Sequence, residues 1–434
     1  MLLDLSQHIE EQRSLLLAVL KKQPCPTDCL KDPFLSSENE LSALLFAINS
    51  LLLGKEYSIP QITLSDEGCA LLFKRCYLPW GSFPYPRFHA EVGALIYILG
   101  TFSNDSSLID TAIKMGKWQL MTLDNHGLPI HSLFQQEGNC SYRELLLANL
   151  FFFTLLSENN VYSQLTSLLQ DALSREEKKS SPFESLVEHF CKEKVETTKA
   201  LQLEPLFCDT TLGFAGFRNS THTAISVAKG CKSSMGAFIN GDAKIVGHGP
   251  QMLPLGECKN FGLSSGTDVI VEQDTKSFTV SSKAQLSLYN GRKTGLSSIE
   301  DVNFSGIWCE SKQIYREGAL NIICEFKTLI PLKEWAYVFF AKSDSCIVAG
   351  YNRLKPRTLD RYKGPPQVVS LKGKEGEIFI HPIEGSHQME IIPLGGGINF
   401  WSADFLIAFF LENEKIPYRW EISLENRISC ILNI

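Results

Sequence analysis

The apolar residues of this chain change their spacing once, near Pro205, and that change calls for two kinds of structure in one molecule. Up to about Leu203 they recur at three and four, the spacing that lines one face of an α-helix. ENELSALLFAINSLLLG, FHAEVGALIYILGTF, SLIDTAIKMGKWQLMTL, YRELLLANLFFFTLLSENN, VYSQLTSLLQDALSREEKK and PFESLVEHFCKEKVETTKALQ all read this way. Their starts carry Ser, Asn or Asp, as in SNDSSLID, residues whose side chains cap the free N–H groups of a first turn. Helices of this length joined by short polar turns predict antiparallel hairpins, with Glu38 to Gly54 and Phe88 to Leu120 as successive layers.

Beyond about Phe207 the period is two. HTAISVAKG, TDVIVEQD, SFTVSSKAQLSLYNG, WAYVFFAKSDSCIVAGY, GEIFIHPI and RWEISLENRISCILNI alternate or run apolar between Gly, Asn, Asp and Pro turns. Roughly fifteen or more short strands without intervening helices predict an antiparallel β-sandwich. The expected class is therefore α+β and multidomain, helical over 1–203 and antiparallel β over 207–434. The charged run from Ser174 to Phe183 reads as a flexible loop.

With 44% hydrophobic and 21% charged residues among 434, the chain has ample apolar mass to bury and is not a disordered polymer. Its net charge of -7 excludes bulk cationic attraction to nucleic acid or to an anionic membrane. The first residues, MLLDLSQHIEEQRSLLLAVLKK, break their apolar run with Asp4, His8, Glu10, Glu11 and Arg13, which fits an amphipathic helix and not a secretory signal. ELLLANLFFFTLL, at about thirteen residues, is too short to span a bilayer and reads as a buried core helix. The 13 Cys are odd in number and scattered; Cys25 and Cys29 have no second pair at metal-ligand spacing. Reduced, mostly buried thiols in a cytoplasmic protein are the expectation, with no structural zinc.

Two strings add a resemblance. FRNSTHTAISVAKG, followed by GAFINGDAKIVGHGPQMLPLGECKNFG, resembles the start of the β-sandwich domain of heparinase II/III-type proteins. WQLMTLDNHGLPIHSLF and the long apolar helix after it are similar to a layer of the α/α toroid that precedes that sandwich. The resemblance implies a toroid-like helical domain, a sandwich, and an acidic oligo- or polysaccharide as partner in a cleft between the halves. The chain departs from the family in lacking an export signal and in the shortness of its helical half.

β-Elimination on a uronate needs a group that neutralises the carboxylate, a base for the C5 proton and an acid for the leaving oxygen. His, Tyr, Arg and Asn cluster in three places that could supply them: Tyr85, Arg87 and His89; Asn125, His126, His131, Tyr142 and Arg143; and Arg218, Asn219 and His222. His248, between two glycines, is a fourth candidate. The expected catalytic set is His222, Tyr142, Asn125 and His126, with Arg218, Asn219, Arg143 and His248 binding substrate. In that arrangement Asn125 or His126 would face Arg218 and His222 across one groove, Arg218 clamping the carboxylate and Tyr142 acting as acid. Each residue also has a structural explanation. Arg87 and His89 open a helix, Asn125 to Gly127 suits a helix stop, Arg143 can be solvated, and Arg218 to His222 leads into a strand.

No phosphate-binding loop, H-E-x-x-H pair or nucleophile elbow occurs, and the motifs call for neither cofactor nor metal. Trp80, Trp118, Trp308, Trp335, Trp401 and Trp420 could stack on sugars or fill the core. Two further readings stand beside a lyase. One is a non-catalytic carbohydrate-binding or scaffold protein of the same architecture; the other is a glycoside hydrolase using Asp124 and Glu144 as paired carboxylates.

Overall fold

A computed structural model describes residues 2–24, 40–71, 86–131, 142–177, 180–191, 201–228, 234–252, 259–263, 267–290, 302–328, 335–348, 352–395, 402–412 and 416–426. Tyr85, Trp80, Trp401 and the Cys25/Cys29 pair lie outside them. The chain forms two compact units, one holding the helices and a second, from Glu204 onward and joined by Ile130 and His131, holding two large sheets.

Seven helices are described: α1 (Leu2–Leu20), α2 (Glu40–Leu52), α3 (Pro86–Ser103), α4 (Ser106–Leu120), α5 (Tyr142–Leu155), α6 (Asn160–Leu173) and α7 (Pro182–Phe190). Their starts follow the capping chemistry read from the sequence. Asp105 accepts from Ser107 N, Asn159 from Val161 N, and Ser181 from Glu184 N with Pro182 at the first helical position. So α7 begins inside the charged run expected to be a loop, because Ser-Pro-Phe-Glu is a complete start signal. Neighbours in sequence pack on one another, α1 on α2, α2 on α3, α3 on α4 and α5 on α6. α3 also packs on α5, and α7 closes onto α1 and α5.

Two details fix this packing. Gly93 of α3 lets the Phe152 ring of α5 approach so closely that an added Cβ would sit 2.4 Å from its Cζ. A chain of buried polar groups ties the helices to a small hairpin, β1 (Thr63–Leu64) and β2 (Ala70–Leu71), in the otherwise helical half. Ala70 N donates to His89 Nε2 at 3.1 Å, and His89 Nδ1 donates to Gln119 Oε1 at 2.8 Å. Gln119 Nε2 in turn donates to Asn149 Oδ1 at 2.9 Å. His89 therefore serves as donor and acceptor at once, which only the neutral ring can do, and burial lowers its pKa to about 4.

The strands continue as β3 (Leu206–Asp209), β4 (Phe214–Arg218), β5 (His222–Val227), β6 (Gly236–Asn240), β7 (Ala243–Met252), β8 (Lys259–Leu263), β9 (Thr267–Asp274) and β10 (Ser277–Asn290). Then come β11 (Val302–Arg316), β12 (Ala319–Thr328), β13 (Trp335–Lys342), β14 (Ser345–Val348), β15 (Asn352–Leu354) and β16 (Tyr362–Gly364). The last are β17 (Val369–Lys372), β18 (Glu377–Glu384), β19 (Met389–Pro393), β20 (Phe405–Phe410) and β21 (Tyr418–Ser423). One sheet runs β16-β19-β20-β13-β7-β6-β5-β4-β3. The other runs β15-β14-β17-β18-β21-β12-β11-β10-β8, with β9 also on β10. Every described pairing is antiparallel, as short hairpin connections require.

The two sheets share one apolar core. Tyr337 of β13 stacks on Trp420 of β21 with centroids 4.2 Å apart, and Phe217 of β4 on Tyr315 of β11 at 4.8 Å. In β13 the alternate residues Ala336, Val338 and Phe340 are as buried as Tyr337 and Phe339 and belong to a second apolar cluster. That is why WAYVFFA reads as an unbroken apolar run.

Candidate functional site

The turn after α4 is built around one carboxylate. Asp124 Oδ1 accepts from His126 N and Leu128 N, each at 2.9 Å, while Asp124 N donates to Leu128 O at 2.8 Å. Gly127 adopts φ +79, a left-handed conformation that costs glycine nothing, and a Cβ there would strike Leu201 and Leu165 within 3 Å. The turn is held on all sides, and it presents Asn125 half-buried and His126 exposed. Their side chains approach to 3.5 Å, Asn125 Nδ2 to His126 Nε2.

Tyr142, the first residue of α5, sits in the same electrostatic neighbourhood. Burial, and then the charges of Asp124 and Glu176, hold its hydroxyl pKa well above the ordinary tyrosine value. It therefore remains a proton donor throughout the usual pH range. The helical unit thus holds three of the four residues expected to be catalytic.

Their helical neighbours are engaged within the protein. Arg143 is buried, pairs with Glu184, and donates to Leu173 O at 3.3 Å and Glu176 O at 3.2 Å. Arg87 pairs with Glu144 at 2.7 Å, and His89 belongs to the polar chain described above. Glu144 thus has a cation partner, and Asp124 organises its turn.

In the strand unit Arg218, Asn219 and His222 lie where β4 turns into β5. Arg218 is buried, donates from Nε to Glu204 O at 2.9 Å, and lies 4.5 Å over the Phe207 ring. Asn219 Oδ1 accepts from Thr221 N, Thr221 Oγ1 and His222 N, closing the turn. His222 hydrogen-bonds through Nε2 to the Tyr315 hydroxyl at 2.7 Å and through Nδ1 to the Thr221 hydroxyl at 2.9 Å. Phe217 and Phe238 flank its ring, and burial lowers its pKa to about 4. His248, fully buried, hydrogen-bonds from Nδ1 to the Tyr337 hydroxyl at 2.8 Å, and burial lowers its pKa to about 3. At neutral pH both rings are uncharged core groups.

Comparison with known proteins gives only distant likenesses of fold. No family model and no curated protein matches the chain. Its fold is similar to those of solved polysaccharide lyases. The chondroitin AC lyase of Streptomyces coelicolor, in complex with chondroitin sulphate, superposes with a TM-score of 0.47 at 10% identity, over 94% of this chain and 62% of that one. A heparinase III gives 0.46 at 11% identity, over 88% and 59%. The heparan sulfate lyase HepC of Pedobacter heparinus gives 0.45 at 9%, over 95% and 59%. This chain spans about three fifths of the length of each.

Among the described residues no group of three or more His, Cys, Asp or Glu could hold a metal ion, and no helix is long and apolar enough to cross a membrane. Six described cysteines are free thiols. Trp118, Trp335 and Trp420 are core, whereas Trp308 is 40% exposed. The partners Tyr315 and Tyr337 were missed by sequence reasoning. Tyr315 occupies an inward position of an alternating strand and Tyr337 lies in an unbroken apolar one, signals for burial that say nothing of which histidine lies opposite.

Proposed function

We propose that this protein acts on an acidic polysaccharide by β-elimination, using Asn125, His126 and Tyr142 of the helical unit. The observation that carries the reading is Tyr142, a tyrosine kept protonated beside Asp124, whose turn displays an amide and an exposed imidazole. In this reading the Asn125 amide donates to the uronate carboxylate and lowers the C5–H pKa. His126 takes the C5 proton, and Tyr142 gives its proton to the departing glycosidic oxygen. The base role moves from His222 to His126, because both His222 nitrogens are engaged and its ring is desolvated. Arg218, Asn219, Arg143 and His248 then hold the scaffold. The helices would be a reduced α/α toroid and the two sheets a β-sandwich, as the resemblance in the sequence implies.

A second reading, binding without cleavage, is favoured by one observation: Arg218, expected to clamp the carboxylate, and Arg143, expected to bind substrate, hydrogen-bond within the protein. One experiment separates them. The protein is incubated with heparan sulfate, chondroitin sulfate and hyaluronan, and unsaturated product is followed by ultraviolet absorbance alongside retention on the immobilised glycans. Product formation that Tyr142→Phe abolishes supports the lyase. Retention without product supports the binding protein, and neither signal refutes both.

A further inference from the structure

The segment RLKPRTLDRYK, from Arg353 to Lys363, runs from β15 through a loop into β16 and concentrates positive charge on an acidic protein. Arg353, Lys355, Arg357, Arg361 and Lys363 are all exposed, against a single carboxylate, Asp360, in the same run. Among the described residues no ion pair holds any of the five to a carboxylate. Two have a carboxylate within electrostatic reach: Arg357 acts on the half-buried Asp404, and Lys363 lies opposite Glu390 in the β16–β19 register. Leu359, between Lys355 and Arg361, is 96% exposed; the next most exposed large apolar side chain among the described residues, Ile270, reaches 53%. The loop is ordered. β15 is the edge of one sheet and β16 the edge of the other, so residues 355–361 bridge the two layers. Thr358 Oγ1 donates to Lys355 O at 3.0 Å and Arg357 N to Leu394 O at 3.3 Å. Arg357 holds φ +59, a left-handed conformation rare for a residue with a side chain. A turn fixed at its base thus holds one aliphatic tip in water among cations.

We infer that this loop docks the strand unit on an anionic lipid surface. Leu359 enters the boundary between headgroups and acyl chains, and the Lys and Arg side chains meet the anionic groups above it. An acidic polysaccharide would satisfy the cations but offers no hydrocarbon to Leu359. A second protein is disfavoured by size, since a stable interface takes about 800 Å² and about 20–30 residues from each partner, far more than one loop. The net charge of -7 does not oppose the contact, because at physiological salt exposed charges more than about 8 Å away are largely screened. The association is peripheral and reversible, since one apolar side chain with a basic segment is a weak anchor. It does not depend on polysaccharide cleavage, and no residue proposed to react is in the loop.

The test is co-sedimentation of the full chain with vesicles of phosphatidylcholine alone and of phosphatidylcholine with about 30 mol% phosphatidylserine. Binding to the second and not the first is expected, falling as salt rises from about 0.1 to about 0.5 M. Lys355→Gln with Arg361→Gln should weaken it about 25-fold, or about fivefold for each cation removed. Leu359→Ser changes a side chain that packs on nothing, and should weaken binding at least about fivefold at unchanged charge. Circular dichroism checks the fold of each variant. No binding to the anionic vesicles, equal binding to the neutral ones, or full affinity in either well-folded variant would overturn the assignment. Retention on immobilised heparan sulfate that Lys355→Gln with Arg361→Gln abolishes, without vesicle binding, would overturn it too and give the loop to the polysaccharide.

Discussion

His222 of β5 and Tyr315 of β11 hydrogen-bond at 2.7 Å across the interior of the strand unit, joining its two sheets through one polar contact inside an aromatic cluster. Tyr315→Phe keeps the stacking on Phe217 and Phe278 but leaves His222 Nε2 with no partner. The expected loss is about 1–3 kcal/mol, read as a lower urea midpoint at unchanged slope.

The same burial predicts a pH response. His89 and His222, lowered to about 4, and His248, lowered to about 3, are neutral in the folded protein and protonate near 6.5 when unfolded. Between those values the unfolded chain binds more protons, so stability falls as pH drops from about 6.5 towards 4, by up to ~1.4 kcal/mol per pH unit per histidine. Calorimetric melting from pH 7 to pH 4.5 should show this fall, and His89→Gln should make it shallower. A flat profile would mean that these rings are open to water.

Arg13 of α1 donates to both carboxylate oxygens of Glu91 on α3, at 3.0 and 2.8 Å, and stacks 4.5 Å from the Phe183 ring of α7. Both partners are buried. Arg13→Met alone should cost up to about 3–5 kcal/mol by leaving the buried Glu91 charge to the more distant Arg87, 3.8 Å away, whereas Arg13→Met with Glu91→Leu should cost much less. A double-mutant cycle in denaturant checks this, and strictly additive losses would contradict it.

Gly93→Ala tests the helix crossing. The added methyl would meet the Phe152 ring at 2.4–2.9 Å, so α3 and α5 must separate or the ring must leave its rotamer. The expected destabilisation is about 1–3 kcal/mol by overpacking. Phe152→Leu in the same chain should recover part of it.

The fold was far more legible in the sequence than the site. Helices give way to strands where the apolar period changes, between Phe190 and Leu206, because burial periodicity is a local property of the chain. The hairpin at Thr63 and Ala70 escaped notice because two-residue strands leave no period to read. Side-chain partners are not local. FRNSTHT offers Arg, Asn and His within five residues, yet the structure spends them on a carbonyl, a turn and Tyr315, 93 residues further on. In PRFHAE His89 reads as a residue that opens a helix, yet it is buried, since Gln119 and Ala70 satisfy it from distant segments. The DNHG turn was readable in form, and the displayed Asn125 and His126 follow from it. The buried pair Arg143–Glu184 was not readable, because a helix-start arginine looks the same whether solvated or buried.

Tyr142 carries the last prediction. A leaving-group acid must hold its proton at working pH, and an ordinary tyrosine begins to lose it near pH 10. Burial together with the charges of Asp124 and Glu176 raises the Tyr142 pKa above that, so its proton-donating form persists through pH 10. On an acidic glycan that the protein cleaves, the rate should therefore show no alkaline decline from this residue below pH 10. Replacing Asp124 by Asn keeps a side-chain oxygen for the His126 and Leu128 amides but removes the charge, and should lower the Tyr142 pKa by the smaller, electrostatic part of its shift while burial still holds it above the ordinary value. Tyr142→Phe should cut the rate by about 10²–10⁴-fold, the usual worth of a general acid, with little change in glycan affinity. A Tyr142→Phe protein that keeps its rate, or one that loses affinity and rate together, would remove Tyr142 from proton transfer and leave it as a helix-start packing residue.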